Sequence, residues 1–177
     1  MVEIKSLRIL LVSAKPHVAQ VLRQVLTISG AVDITLAADG FAALECLRMQ
    51  VYDAVFCDDA SSRDTGADFA HDARKAEGMR DSMLPVFLVC SSPRRRDVER
   101  ARDRGYTDVL TRPVSGATIL RKLRQAVERP RPFIVAPEFY GPDRRSVSRS
   151  AFRGSDRRKR QPRKVKVAAP MDDPVAG

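Results

Sequence analysis

Two stretches near the C-terminal end share one pattern. In Phe139-Tyr140-Gly141-Pro142-Asp143-Arg144-Arg145 and Phe152-Arg153-Gly154-Ser155-Asp156-Arg157-Arg158, the residues Phe, Gly, Asp, Arg and Arg recur at an offset of 13. An arginine guanidinium is a planar fork that meets two acceptors at once, and guanine presents such a pair, O6 and N7, on one edge. Its other edge presents N1–H and an exocyclic amino group, two donors that suit the two oxygens of a carboxylate. Asp-Arg-Arg can therefore read both edges of one guanine and keep its second arginine for a phosphate or a stacked ring. Tyr140, Arg153 and the phenylalanines offer stacking faces. Gly141 and Gly154 let the backbone come close, and Arg149, between the copies, belongs to the same candidate site. Two such units suit a ligand with two guanines and two phosphates, namely cyclic di-GMP.

Two simpler readings compete. A disordered basic tail that adheres to any polyanion would explain Arg157-Arg158-Lys159-Arg160 and Arg163-Lys164. It gives no reason for the repeat, and an acid beside two arginines lowers the charge density such a tail would maximise. Sequence-tolerant RNA or DNA binding would place arginines on phosphates and aromatic rings on bases. Only Phe133, Phe139, Tyr140 and Phe152 could stack there, and no folded nucleic-acid module is visible, so nucleic acid is the weaker expectation. Arg145-Ser146-Val147-Ser148-Arg149 imitates the Arg-x-x-x-Arg of PilZ domains, but no Asp-x-Ser-x-x-Gly follows it.

The charge is uneven along the chain of 177 residues. Residues 129–177 hold 13 Lys+Arg against 5 Asp+Glu, while residues 1–128 hold 19 against 17. The division predicts a body of ordinary domain size over 7–128 and an arginine-rich ligand-binding tail over 129–177. Cys46, Cys57 and Cys90 are widely spaced and sit in apolar stretches, which suits reduced thiols in a cytoplasmic protein. With His17 and His71 as the only histidines, and neither at ligand spacing from a cysteine, no metal or other cofactor is expected. The apolar run Ile9–Val12 is too short for a signal peptide or a membrane span. No membrane insertion is expected.

The elements that must position these groups alternate. Leu7–Val12 and Ala54–Cys57 are near-continuous apolar runs, the mark of strands buried on both faces. Val32–Ala37, Pro85–Cys90 and Thr107–Leu110 complete five strands. Pro16 opens a helix whose Val18, Val21, Leu22, Val25 and Leu26 form one stripe, and Gly30 ends it. Phe41, Leu44 and Leu47 mark a second helix, Phe69, Ala70 and Ala73 a weak third. Residues 94–104 make a fourth with little apolar face beyond Val98 and Ala101, and Ile119, Leu120, Leu123, Ala126 and Val127 stripe the fifth. Five βα units predict an α/β fold: a doubly wound parallel sheet with helices on both faces, its working crevice at the C-terminal strand ends. The tail, with its Arg129-Pro130-Arg131-Pro132 spacer, is predicted to be largely irregular.

This layout resembles the CheY-like receiver domains of response regulators over residues 7–128. Tyr52–Asp58 matches the third strand, which places Asp58 as phosphoacceptor. Pro85–Cys90 matches the fourth strand, and Gly105–Pro113 the fifth with its Lys-Pro end. The resemblance implies the strand order 2-1-3-4-5 and a cis Arg112–Pro113 bond. Receiver domains also place two acids after the first strand to hold Mg²⁺, and here those positions are Ser13 and Ala14. Cys90 stands for the switch hydroxyl, Arg112 for the conserved lysine and Val109 for the switch aromatic. With Asp58 and Asp59 the only acids left, Mg²⁺ should bind weakly and phosphorylation should be crippled. Asp58, Asp59, Cys90 and Arg112 are then a vestigial pocket with Asp58 paired to Arg112. A working phospho-accepting regulator at Asp58 is the alternative.

Body and tail together resemble the Cle type, CheY-like proteins with an arginine-rich C-terminal segment. The resemblance covers Tyr140, Gly141, Pro142, Asp143, Arg144 and Arg145, then Gly154, Asp156, Arg157 and Arg158. It implies a non-catalytic effector that binds cyclic di-GMP through this segment and docks to the flagellar motor switch, with recruitment to the flagellated pole. An unliganded tail should be mobile. Ligand should fold it against the fourth helix, fifth strand and fifth helix, assisted by Arg94-Arg95-Arg96-Asp97.

Overall fold

The computed structural model describes residues 3–58, 69–75, 81–136, 139–143 and 163–166. Five parallel strands, β1 (Arg8–Val12), β2 (Asp33–Ala37), β3 (Ala54–Asp58), β4 (Val86–Ser91) and β5 (Asp108–Arg112), form one sheet in the order β2-β1-β3-β4-β5. The helices are α1 (Pro16–Ile28), α2 (Gly40–Met49), α3 (Phe69–Lys75), α4 (Arg95–Asp103) and α5 (Gly116–Glu128). The fold is the expected one. Pro16 opens α1, the Asp39 carboxylate caps α2 by accepting from the Ala42 N–H at 2.8 Å, and the Ser115 hydroxyl caps α5 by accepting from the Thr118 N–H at 3.3 Å.

Alternate residues of the central strands point to opposite layers. Ile9, Leu11, Phe56, Phe87, Val89 and Leu110 pack with Leu22 and Leu26 of α1 and Ile119 and Leu123 of α5. Leu10, Val12, Val55, Cys57 and Val86 pack with Ala43 and Leu47 of α2, Phe69, Ala70 and Ala73 of α3, and Ala101 of α4. β1, β3 and β4 have a hydrophobic layer on both sides, hence their near-continuous apolar runs. Phe56 and Phe87, neighbours across the β3–β4 pairing, stack with centroids 4.9 Å apart. Replacing Phe56, which is 1% exposed, with alanine should destabilise the fold by about 3–5 kcal/mol in chemical denaturation. A loss near 1 kcal/mol would mean that this layer is not the core.

Parts of the tail are more regular than expected. Phe133–Ala136 (β6), Phe139–Pro142 (β7) and Arg163–Val165 (β8) form a second, antiparallel sheet in the order β7-β6-β8. Phe133-Ile134-Val135-Ala136 is a short apolar run directly after Pro132. Phe133 and Phe139 are buried, which offsets the ordering entropy that the charged residues cannot.

Candidate functional site

The parallel register brings one end of each central strand together. Val12 pairs with Cys57, Asp58 with Val89, Cys90 with Thr111 and Ser91 with Arg112. Ser13, Asp58, Cys90 and Arg112 therefore gather at the C-terminal strand ends, where α/β sheets place their sites. The Asp58 carboxylate is fully buried, with Oδ1 3.3 Å from Arg112 Nη2. Its Oδ2 accepts from the Ser13 hydroxyl at 3.3 Å. Cys90 is buried, and its thiol points to the Leu110 carbonyl at 3.8 Å. The Arg112–Pro113 bond is cis, as the family resemblance implied. Asp59 lies outside the described residues.

The arrangement pairs one buried carboxylate with one guanidinium. Mg²⁺ takes oxygens in near-octahedral array and is held through carboxylates. The β1 end offers the Ser13 hydroxyl, which also lies 3.2 Å from the Lys15 carbonyl oxygen, and the methyl group of Ala14. The donors among the described residues do not fit Mg²⁺. The positive charge beside Asp58 comes from Arg112. Phosphodonors supplied with Mg²⁺ are accordingly expected to label Asp58 poorly in a mass-spectrometric time course. Rapid stoichiometric labelling that disappears in Asp58→Ala would overturn that expectation.

The tail residues assigned to the ligand divide into two groups. Tyr140, Gly141, Pro142 and Asp143 are described; Arg144, Arg145, Arg149, Arg153, Gly154, Asp156, Arg157 and Arg158 lie outside the described residues. Tyr140 shares a hydrogen bond with the Ser82 hydroxyl at 3.1 Å, and its ring meets Phe133 at 5.7 Å and 60°. Gly141 is buried. A Cβ built on it would stand 3.0 Å from Gly105 Cα, so its lack of a side chain serves a backbone-to-backbone approach. Asp143 ends the strand: its N–H donates to the Pro132 carbonyl at 2.8 Å, and its carboxylate lies 3.5 Å from Lys164 Nζ of β8.

Lys164 and Arg74 were not singled out from the sequence. Lys164 belongs to a basic run with no mark of its own, and a lone arginine on a weak helix reads as solvated. The described contacts of β6 and β7 involve α3 and the segments that lead into β4 and β5. They differ from the α4–β5–α5 side expected for the liganded tail. They also lie at the N-terminal strand ends, about 15–20 Å from the Asp58 pocket by strand length. No described helix is long and apolar enough to cross a membrane.

The pattern of the response regulator receiver domain matches residues 9–124. Chemotaxis protein CheY-3 of Vibrio cholerae serotype O1 is 26% identical over 125 residues, covering 71% of this chain and 95% of that protein. Among solved structures, the receiver domain of the Francisella response regulator 1452 superposes with a TM-score of 0.60 at 21% identity, covering 70% of this chain and 98% of that one. The receiver domain of the sensor histidine kinase PA1611 from Pseudomonas aeruginosa, solved with magnesium in its active-site cleft, gives 0.55 at 26% identity and covers 67% and 95%. With its sheet order, its buried aspartate at the end of β3 and this match over most of the body, the chain belongs to the response regulator receiver domain family.

Proposed function

We propose that this receiver domain is a non-catalytic signalling effector that binds cyclic di-GMP through its repeated Phe-x-Gly-x-Asp-Arg-Arg segment. Binding changes its docking to a partner, the flagellar motor switch. The repeat carries the reading: two arginine forks and two carboxylates at equal spacing match the edges of two guanines. Asp143 stands at the exit of β7, so Arg144 and Arg145 of the first copy begin where a seated strand ends. The Asp58 pocket supports the same reading. Its donor set favours a fixed ion pair over phosphoryl chemistry, and a receiver domain without that input needs another. The similarity to chemotaxis protein CheY-3 supports a motility partner. For ligand to alter docking it must bind the docked and undocked states with different affinity.

Calorimetry on the full chain at physiological salt tests the ligand. Cyclic di-GMP should bind with a clear preference over cyclic di-AMP and retain useful affinity as salt rises. An indiscriminate basic tail would lose affinity steeply with salt and take RNA equally well. Equal competition by cyclic di-AMP or random RNA would end the proposal.

A further inference from the structure

Arg74 is an arginine with 4% of its surface exposed, on the short helix α3. Its Nη1 donates to the carbonyls of Ser82 at 2.8 Å and Leu84 at 2.6 Å, and its Nη2 to that of Gly105 at 3.3 Å. The guanidinium carbon lies 5.0 Å from the centre of the Phe133 ring. One side chain thus ties α3 to the segments before β4 and β5 and presents a flat cationic face to the first residue of β6. Burial lowers its pKa from the ordinary arginine value to about 10, with Asp81 and Tyr140 acting in the opposite sense, so the group is cationic at neutral pH.

Around this contact the body and tail fit closely. Gly105 has φ +89, which favours glycine, and a Cβ there would approach the Tyr140 carbonyl at 3.3 Å. Gly141 faces Gly105 from the tail side, and Tyr140 reaches Ser82, whose carbonyl Arg74 holds. A buried charge is retained only where hydrogen bonds compensate it. Three backbone carbonyls and one ring do so for the two terminal nitrogens, while Nε has no described hydrogen-bond partner; the ring belongs to the tail.

We propose that Arg74 is the positioning residue of the tail: it seats β6 and β7 on the receiver body and fixes where the first Asp-Arg-Arg unit starts. The seating stands on these contacts alone, and its consequence for cyclic di-GMP rests on the function proposed above. A lysine cannot replace Arg74, because one ammonium cannot span three carbonyls and lie flat on Phe133.

Hydrogen–deuterium exchange on the full-length protein tests the seating. In Arg74→Met, amides of residues 133–136, 139–141 and 143 should exchange at least about tenfold faster, while those of β1, β3 and β4 stay near wild type. Arg74→Lys should not restore protection. Gly141→Val, which leaves Arg74 in place and pushes a side chain against Gly105, should release the same amides. Cyclic di-GMP should bind Arg74→Met more weakly but keep its preference over cyclic di-AMP, since the guanine-reading groups are intact. If Arg74→Met leaves these amides protected, the proposal fails, whatever Gly141→Val does. It also fails if Arg74→Met unprotects β1, β3 and β4 while Gly141→Val leaves the tail protected, because Arg74 then serves only the body. If wild type ignores cyclic di-GMP yet the exchange pattern appears, the seating stands and only its link to the ligand falls.

Discussion

Replacing Arg112 with methionine is expected to destabilise the protein by about 3 kcal/mol, because it removes the cation beside a buried carboxylate. Asp58 is fully buried while the Arg112 side chain is 24% exposed, which argues for the lower end of the range for broken buried pairs. The Ser13 hydroxyl still reaches Asp58 Oδ2, but a neutral donor does not replace a guanidinium. Asp58→Asn should be near neutral, since the amide removes the charge that needed a partner. Combining Arg112→Met with Asp58→Asn should then recover most of the lost stability, giving a coupling well above the additive limit for independent sites. Urea midpoints of the four proteins decide the matter. A double variant no better than Arg112→Met alone would show that the pair does not hold the pocket together.

That pocket was readable from sequence chiefly through the family resemblance, which matched the third, fourth and fifth strands and so placed Asp58, Cys90 and Arg112 at their ends. Ser13 follows β1, Asp58 ends β3, Cys90 lies near the end of β4 and Arg112 ends β5, so once the strands are aligned in parallel the four must meet. The boundaries were less sharp. Val32 was included in β2, which starts at Asp33, and β5 runs on to Arg112 beyond the apolar Val109-Leu110, since edge strands carry a weaker hydrophobic signal than β1 or β3. α4 buries only Ala101, and its place between two parallel strands requires a crossover.

The second sheet was missed for a different reason. Phe133-Ile134-Val135-Ala136 has strand composition, but it stands between two Arg-Pro dipeptides and a basic segment, so the tail's average polarity hid it. Phe139-Tyr140-Gly141-Pro142 was read for ligand chemistry, and residues with that chemistry can equally make a strand. Among the described residues, the tail meets the body at Arg74, Ser82 and Gly105, which no local pattern names. The structure thus gives the first three residues of the Tyr-Gly-Pro-Asp segment a packing role beside the ligand role proposed for it. Asp143, at the edge of that packing, is the first residue of the repeat whose side chain looks outward to another charge.

Substitutions within the repeat should separate guanine recognition from charge. An arginine fork on a base edge is worth roughly 1–3 kcal/mol of discrimination, so Arg144→Ala or Arg157→Ala should weaken cyclic di-GMP binding about tenfold or more by calorimetry. Lysine at either position should rescue poorly, because it keeps the charge and loses the fork. The acids give the sharper contrast. Asp143→Ala removes one negative charge and also frees Lys164, which stands 3.5 Å away, so the segment becomes more basic and any non-specific attraction for polyanions should strengthen. Asp156→Ala makes the same change in the second copy. Binding to random RNA should therefore rise in both variants while binding to cyclic di-GMP falls, two opposite movements from one substitution that no purely electrostatic tail can produce. If both aspartate variants hold cyclic di-GMP as well as the parent or better, the carboxylates do not read guanine, and the repeat acts only as a cationic tether.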